Sequence, residues 1–111
     1  MIDGILTEAG VNHAQARFIR RPEGTYAVYF DSVEIETPDR ESVVPGQRPP
    51  CICRHTGSIE VYEPIADTAT EAAIESAILA RGLAYSKEDR YWLSDLQAYQ
   101  VIYGLEWLDK K

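Results

Sequence analysis

Three residues within one short stretch could hold a metal ion: Cys51, Cys53 and His55, in the pattern Cys-x-Cys-x-His. Thiolate sulfur and imidazole nitrogen are donors that zinc accepts, at about 2.0–2.3 Å from the ion. The spacing works against this chemistry. Alternate residues of an extended strand share a face, but three of them spread over about 13 Å. Two cysteines so placed stand about 6.5–7 Å apart, too far for an unstrained disulfide. No second ligand cluster completes a zinc spacing, so two small buried side chains and an edge histidine explain the pattern better. His13, the other histidine, lies far away in sequence.

Other catalytic signatures are missing. The chain has no glycine-rich phosphate loop, no G-x-S-x-G elbow and no H-E-x-x-H. Its carboxylates have a plainer explanation: Glu34 and Glu36 alternate with apolar residues, and Glu71 and Glu75 lie off the stripe of their helix, so both pairs read as solvated faces. Tyr99, Tyr103 and Trp107 could stack nucleic-acid bases, but such platforms interleave aromatics with lysine and arginine. Here the neighbours are Glu106 and Asp109, which points to core packing or a protein–protein face. None of these carboxylates or aromatics stands out as catalytic.

Composition narrows the class further. With 111 residues the chain makes one domain, and 45% hydrophobic with 26% charged residues suits a folded, soluble protein. The net charge is -7, which opposes any role that depends on neutralising phosphates. The basic pairs Arg20-Arg21 and Lys110-Lys111 are too small to reverse that. No apolar run is long enough to cross a bilayer, and MIDGILTEAG lacks the features of a signal peptide, so synthesis in the cytosol is expected.

The elements that would position these residues follow from periodicity. Ile2, Ile5, Leu6 and Ala9 predict a short helix over Ile2–Ala9 that stops at Gly10. Val11–Arg20 predicts a first strand, with Ala14, Ala16 and Phe18 on one face, and Pro22, Glu23 and Gly24 a turn. Thr25–Glu36 predicts a second strand, with Tyr26, Val28 and Phe30 on one side, and Cys51–Glu63 a third, with Ile59 and Val61 inward. A capping box of Thr68 and Glu71, a stripe of Ala73, Ile74, Ala77 and Ile78, and a stop at Gly82 predict the main helix, Thr68–Arg81. Leu83–Trp92 predicts a fourth strand, and Ser94-Asp95 turns into the last. There Tyr99, Val101, Tyr103, Leu105 and Trp107 share one face. The order α-β-β-β-α-β-β predicts an α+β fold: an antiparallel or mixed β-sheet with one main helix packed on one face and a short N-terminal helix.

Between the second and third strands lies the least regular segment, an extended loop at 38–50. Four prolines and a glycine between Thr37 and Pro50 exclude a central strand or a helix interior. Long loops usually have a task or no fixed structure. Val43 and Val44 form an apolar tip flanked by Arg40, Glu41, Gln47 and Arg48, a pattern that suits an interaction arm.

Three segments carry a family resemblance: Ala27-Val28-Tyr29-Phe30; Gly57-Ser58-Ile59-Glu60-Val61-Tyr62-Glu63 with the following Glu71 and Ile74; and Tyr85-x-Lys87-Glu88-Asp89-x-Tyr91-Trp92-Leu93 running to Tyr99-Gln100-Val101-Ile102-Tyr103. In this order and spacing, over roughly Ile5 to Leu105, the chain resembles the tail-completion, or tail-to-head joining, proteins of long-tailed bacteriophages. The resemblance implies a monomer in solution that becomes a hexameric ring when it caps the tail tube, with no enzymatic activity and no cofactor. Its partners would be other copies of itself, the tail tube protein and the head-completion or connector protein. The implied location is the head–tail interface of the virion, after assembly in the host cytoplasm, with no membrane involved. DNA would pass through the channel without specific binding, and the negative charge suits a channel that must not hold phosphate. Glu34, Glu36, Glu60 and Glu63 are then candidates to face it, and residues 38–50 to make subunit or tube contacts. The runner-up is a small acidic binding module, antitoxin- or inhibitor-like, that holds one partner without ring assembly. A zinc-binding protein using Cys51, Cys53 and His55 stands third.

Overall fold

The structure, a computed structural model, describes residues 1–18, 20, 22–36 and 52–110, without the side chains of residues 34–36, 52, 109 and 110. Helix α1 (Ile2–Ala9) forms where predicted, and its three large apolar residues Ile2, Ile5 and Leu6 are all buried. Strand β1 (Asn12–Gln15) follows, then β2 (Tyr26–Glu36), β3 (Ile52–Glu63) and helix α2 (Thr68–Ala80). Two short strands, β4 (Tyr85–Lys87) and β5 (Tyr91–Leu93), lead to the long β6 (Ala98–Lys110). Both helices end on a glycine with positive φ, 75° at Gly10 and 70° at Gly82, where a side chain would strain the backbone. The next two amides close each end: Gly82 and Leu83 donate to the carbonyls of Leu79 and Ile78.

The sheet is mixed, in the order β1-β2-β3-β6-β4, with β5 also paired to β6. Its spine is the antiparallel β3–β6 ladder, which runs from Ile52↔Lys110 to Glu63↔Tyr99. In this register Ala27, Val61 and Val101 stand side by side, as do Tyr29, Ile59 and Tyr103. That face carries both helices. Ile2, Ile5, Leu6, Ile74, Ala77 and Ile78 close over Ala27, Ile59, Val61, Val101, Tyr103 and Leu105 in one core. The opposite face is partly covered: Phe18 meets Tyr26 edge-on and Tyr26 stacks on Tyr62, so Tyr26 and Val28 are buried as well.

Four expectations need correction. The first strand ends at Gln15 rather than Arg20, because Ala16 adopts a left-handed φ of 66° that no strand tolerates. It also pairs with β2 in parallel, from Asn12↔Tyr26 to Gln15↔Tyr29, so Pro22–Gly24 lies on a return crossing and not in a hairpin. The predicted fourth strand is two strands, and the residues between β4 and β5 bring Arg90 against α2. The main helix is capped by Asp67, one residue before the expected Thr68; its carboxylate accepts from the Thr70 amide at 3.0 Å and the Thr70 hydroxyl at 2.7 Å.

The three long strands outrun the helices. The molecule measures 59 × 27 × 22 Å, and its radius of gyration of 17.4 Å exceeds the roughly 13 Å of a compact chain this long. Beyond the core, Phe30, Val33 and Leu108 are exposed at 41%, 53% and 64%. Val33 lies on the helix-bearing face, but the helical layer does not reach it. Among the described residues no helix is long and apolar enough to cross a membrane.

Tyr103 is fully buried at the centre of the core. Tyr103→Ala is therefore expected to cost about 3–5 kcal/mol in urea unfolding. Tyr103→Phe keeps the ring and loses one hydrogen bond to Glu75, and should cost about 1 kcal/mol. Equal small losses would show that the last strand is not the core strand.

Candidate functional site

Most of the chemistry-bearing residues named from the sequence do not converge. Cys53 is buried with a free thiol, and His55 lies flat on Trp107 with ring centroids 5.0 Å apart. Cys51 lies outside the described residues, and among those described no group of three or more His, Cys, Asp or Glu could hold a metal ion. His13 pairs with Asp3 of α1 at 2.7 Å and its other nitrogen faces the Val11 carbonyl, which ties α1 to the start of β1. The loop candidates Arg40, Glu41, Val43, Val44, Gln47 and Arg48 lie outside the described residues, as do the side chains of Glu34 and Glu36.

A different cluster does converge, between α2 and the sheet. Glu63 ends β3 on the helix-bearing face and is fully buried. Glu71 and Glu75 stand one turn apart on α2, and both face inward: the Glu71 side chain is 3% exposed. Lys87 from β4 reaches Glu71 at 2.9 Å and Glu75 at 3.0 Å. Arg90 lies 2.5 Å from Glu71 and 3.3 Å from Glu63. Below them the Tyr103 hydroxyl donates to Glu75 at 2.9 Å, and Tyr85 donates to the same carboxylate at 2.8 Å.

The electrostatics follow from burial and from these partners. Burial drives the Glu63 carboxyl up to about 7, helped by Glu71 and opposed by the Asp67 amide and Arg90. Burial would also raise Glu71, but hydrogen bonds from Arg90, Glu63 and Lys87 hold it below the ordinary value. Glu75 is likewise lowered, because Tyr85, Lys87 and Tyr103 all donate to it against the cost of burial. The Tyr103 hydroxyl is raised by burial and by Glu75. Two expectations are thereby overturned. Glu71 and Glu75 do not lie on a solvated face, and Glu63 does not face a channel.

A second polar chain crosses the other face of the sheet. Tyr91 donates to Gln100, Gln100 donates to Tyr62 at 3.0 Å, and Tyr62 donates to Glu60 at 2.8 Å. Burial and the Glu60 carboxylate push the Tyr62 hydroxyl up to about 12. Glu60 is thus tied down within the sheet, half-buried, and not free to serve as a solvated charge.

One signal for the buried cluster was present in the sequence. Glu71, Ile74, Glu75 and Ile78 recur at helical spacing, which puts two acids on the same face as two isoleucines. Neither set of groups offers a nucleophile beside a base. The α2 cluster positions a helix. No family model matches the chain, and no curated protein matches it either.

Removing the cation should make the carboxyl groups compete. Arg90→Met is expected to lower the melting midpoint, and by more at pH 8 than at pH 5, because Glu63 ionises over that interval. A loss independent of pH would mean that Arg90 contributes only packing.

Proposed function

We propose that this chain is a structural virion protein of a long-tailed phage, capping the tail tube as a ring and joining the tail to the head connector. It acts without catalysis and without a cofactor. The observation that carries this reading is the projecting arm of β2, β3 and β6. Along its length both outer edges are open among the described residues: β1 covers β2 only as far as Tyr29, and β4 covers β6 only as far as Leu105. The register places Val33, His55 and Trp107 in one row, so the two open edges stand at the same height on opposite sides. A chain with two different edges at one level can join head to tail with copies of itself, and such contacts make a ring when the rotation between copies closes.

The exposed side chains on this arm suit a partner. Val33 on one face of the arm, and Phe30 and Leu108 on the other, are more exposed than a lone protein gains from. The net charge of -7 supports a ring whose channel lets DNA pass without holding it. Residues 38–50, which join β2 to β3, remain the proposed contact with neighbouring subunits or with the tube. Besides its own copies the partners are the tail tube protein and the connector, and the place of action is the head–tail interface of the virion.

Electron microscopy with light scattering tests this on the purified chain, alone and mixed with tail tubes that lack their end cap. The expected outcome is a monomer that becomes a ring at one end of the tube. The double variant Val33→Asp with Leu108→Asp should melt within a few degrees of the parent yet leave the tubes bare. Deleting residues 42–46 should have the same effect. A parent chain that never joins the tubes but forms a stable one-to-one complex with another protein would replace this reading with the antitoxin- or inhibitor-like one.

A further inference from the structure

The α2 cluster holds more carboxyl groups than cations. Glu63, Glu71 and Glu75 face two positive charges, Lys87 and Arg90. If all three acids were ionised, a buried negative charge would be left uncompensated, which a low-dielectric site opposes strongly. The hydrogen bonding points to the odd one. Glu71 is engaged by Arg90 and Lys87, and Glu75 by Lys87, Tyr85 and Tyr103. The Oε1 atom of Glu63 takes the Asp67 amide at 2.9 Å, while its Oε2 atom is buried and receives no donor. Arg90 touches both this carboxyl, at 3.3 Å, and Glu71, at 2.5 Å, which brings two carboxylates to one cation with no hydrogen to share between them.

We infer that Glu63 is protonated in the folded protein and donates its hydrogen to the Glu71 carboxylate, so that the seating of α2 on the sheet is a proton-dependent lock. One added proton settles both problems: it gives the two carboxyl groups a donor, and it brings the cluster to two anions against two cations. The groups that face Glu63 come from the elements packed around it. They are the amide of Asp67 at the helix start, Glu71 on α2, Arg90 after β4, and Tyr103 on β6, with Glu75 and Lys87 acting through Glu71 and Tyr103. The lock is a property of the chain alone and does not depend on ring assembly.

Its pH dependence has a definite sign. A carboxyl raised to about 7 in the folded state, from an ordinary 4.5, binds its proton more tightly folded than unfolded. The stability it contributes is complete below 4.5 and is lost as the pH rises through 7. Glu71 and Glu75, both lowered, act the other way: their contribution is present above 4.5 and is lost on acidification. Stability should therefore peak near pH 5 and decline toward pH 8.

Urea unfolding at pH 5 and pH 8 tests this on the parent and on Glu63→Gln, which carries a permanent donor in place of the acid. The parent's folding equilibrium should weaken on the order of a hundredfold across that range, and the variant should lose most of this dependence. A variant that keeps the full decline overturns the inference. Carbon NMR of the Glu63 carboxyl in the parent decides the matter even if the variant fails to fold. Titration near pH 7 supports the lock, and titration below pH 5 overturns it.

Discussion

The pairing of β3 with β6 is the interaction on which the rest of this molecule depends. It is antiparallel and runs unbroken from Ile52↔Lys110 to Glu63↔Tyr99. β2 builds on one side of it and the short strands β4 and β5 on the other. Strict alternation along β6 delivers Val101, Tyr103 and Leu105 to one face, and only that face has two helices to receive them. A slip of one residue would exchange Tyr103 for Ile102 or Gly104 at the centre of the core. The ladder is also longer than the helical layer, so the same pairing that makes the core extends it into an arm.

The charged layer beneath α2 has a different logic. Ion pairs taken out of water seldom add net stability, and apolar replacements of the same shape often do as well. What such a layer supplies is position. An isoleucine stripe can slide along a sheet at little cost, but Glu71 cannot leave Arg90 and Lys87, and Glu75 cannot leave Tyr103, without exposing a buried charge. Arg81 makes a parallel contribution outside the core, pairing with Glu8 and so tying the end of α2 to α1. The two helices are thus held by charge as well as by the packing of their buried apolar residues.

Much of the fold was legible in the residues themselves. The spacing of Ile2, Ile5 and Leu6 marks α1, and Gly10 marks its end; Ile59 with Val61 and the alternation from Tyr99 mark the inward faces of β3 and β6. These are local periodicities, and burial follows them directly. What stayed hidden depends on distant partners. Nothing near Asn12–Gln15 announces a parallel neighbour, since the partner is chosen by where the chain returns. The break between β4 and β5 is set by the reach of Lys87 and Arg90 to α2. Glu63 and Glu71 read as surface residues because their type is usually solvated, and only the cations from distant parts of the chain, with the proton inferred on Glu63, make burial tolerable. Glu60 was likewise read by type alone, although Tyr62 holds it.

We propose that the chain combines a closed core with an arm whose bare edges receive copies of itself. Amide hydrogen exchange across β2, β3 and β6 measures this most directly, on the free chain and again after mixing with uncapped tail tubes. Amides of Ile59–Val61 and Val101–Tyr103 should be slow in both states, whereas those at the outer edges of the arm, in 32–36 and 106–110, should exchange quickly when free and slow sharply on the tubes. An arm already as protected as the core in the free chain, or one left unprotected on the tubes, would contradict the account.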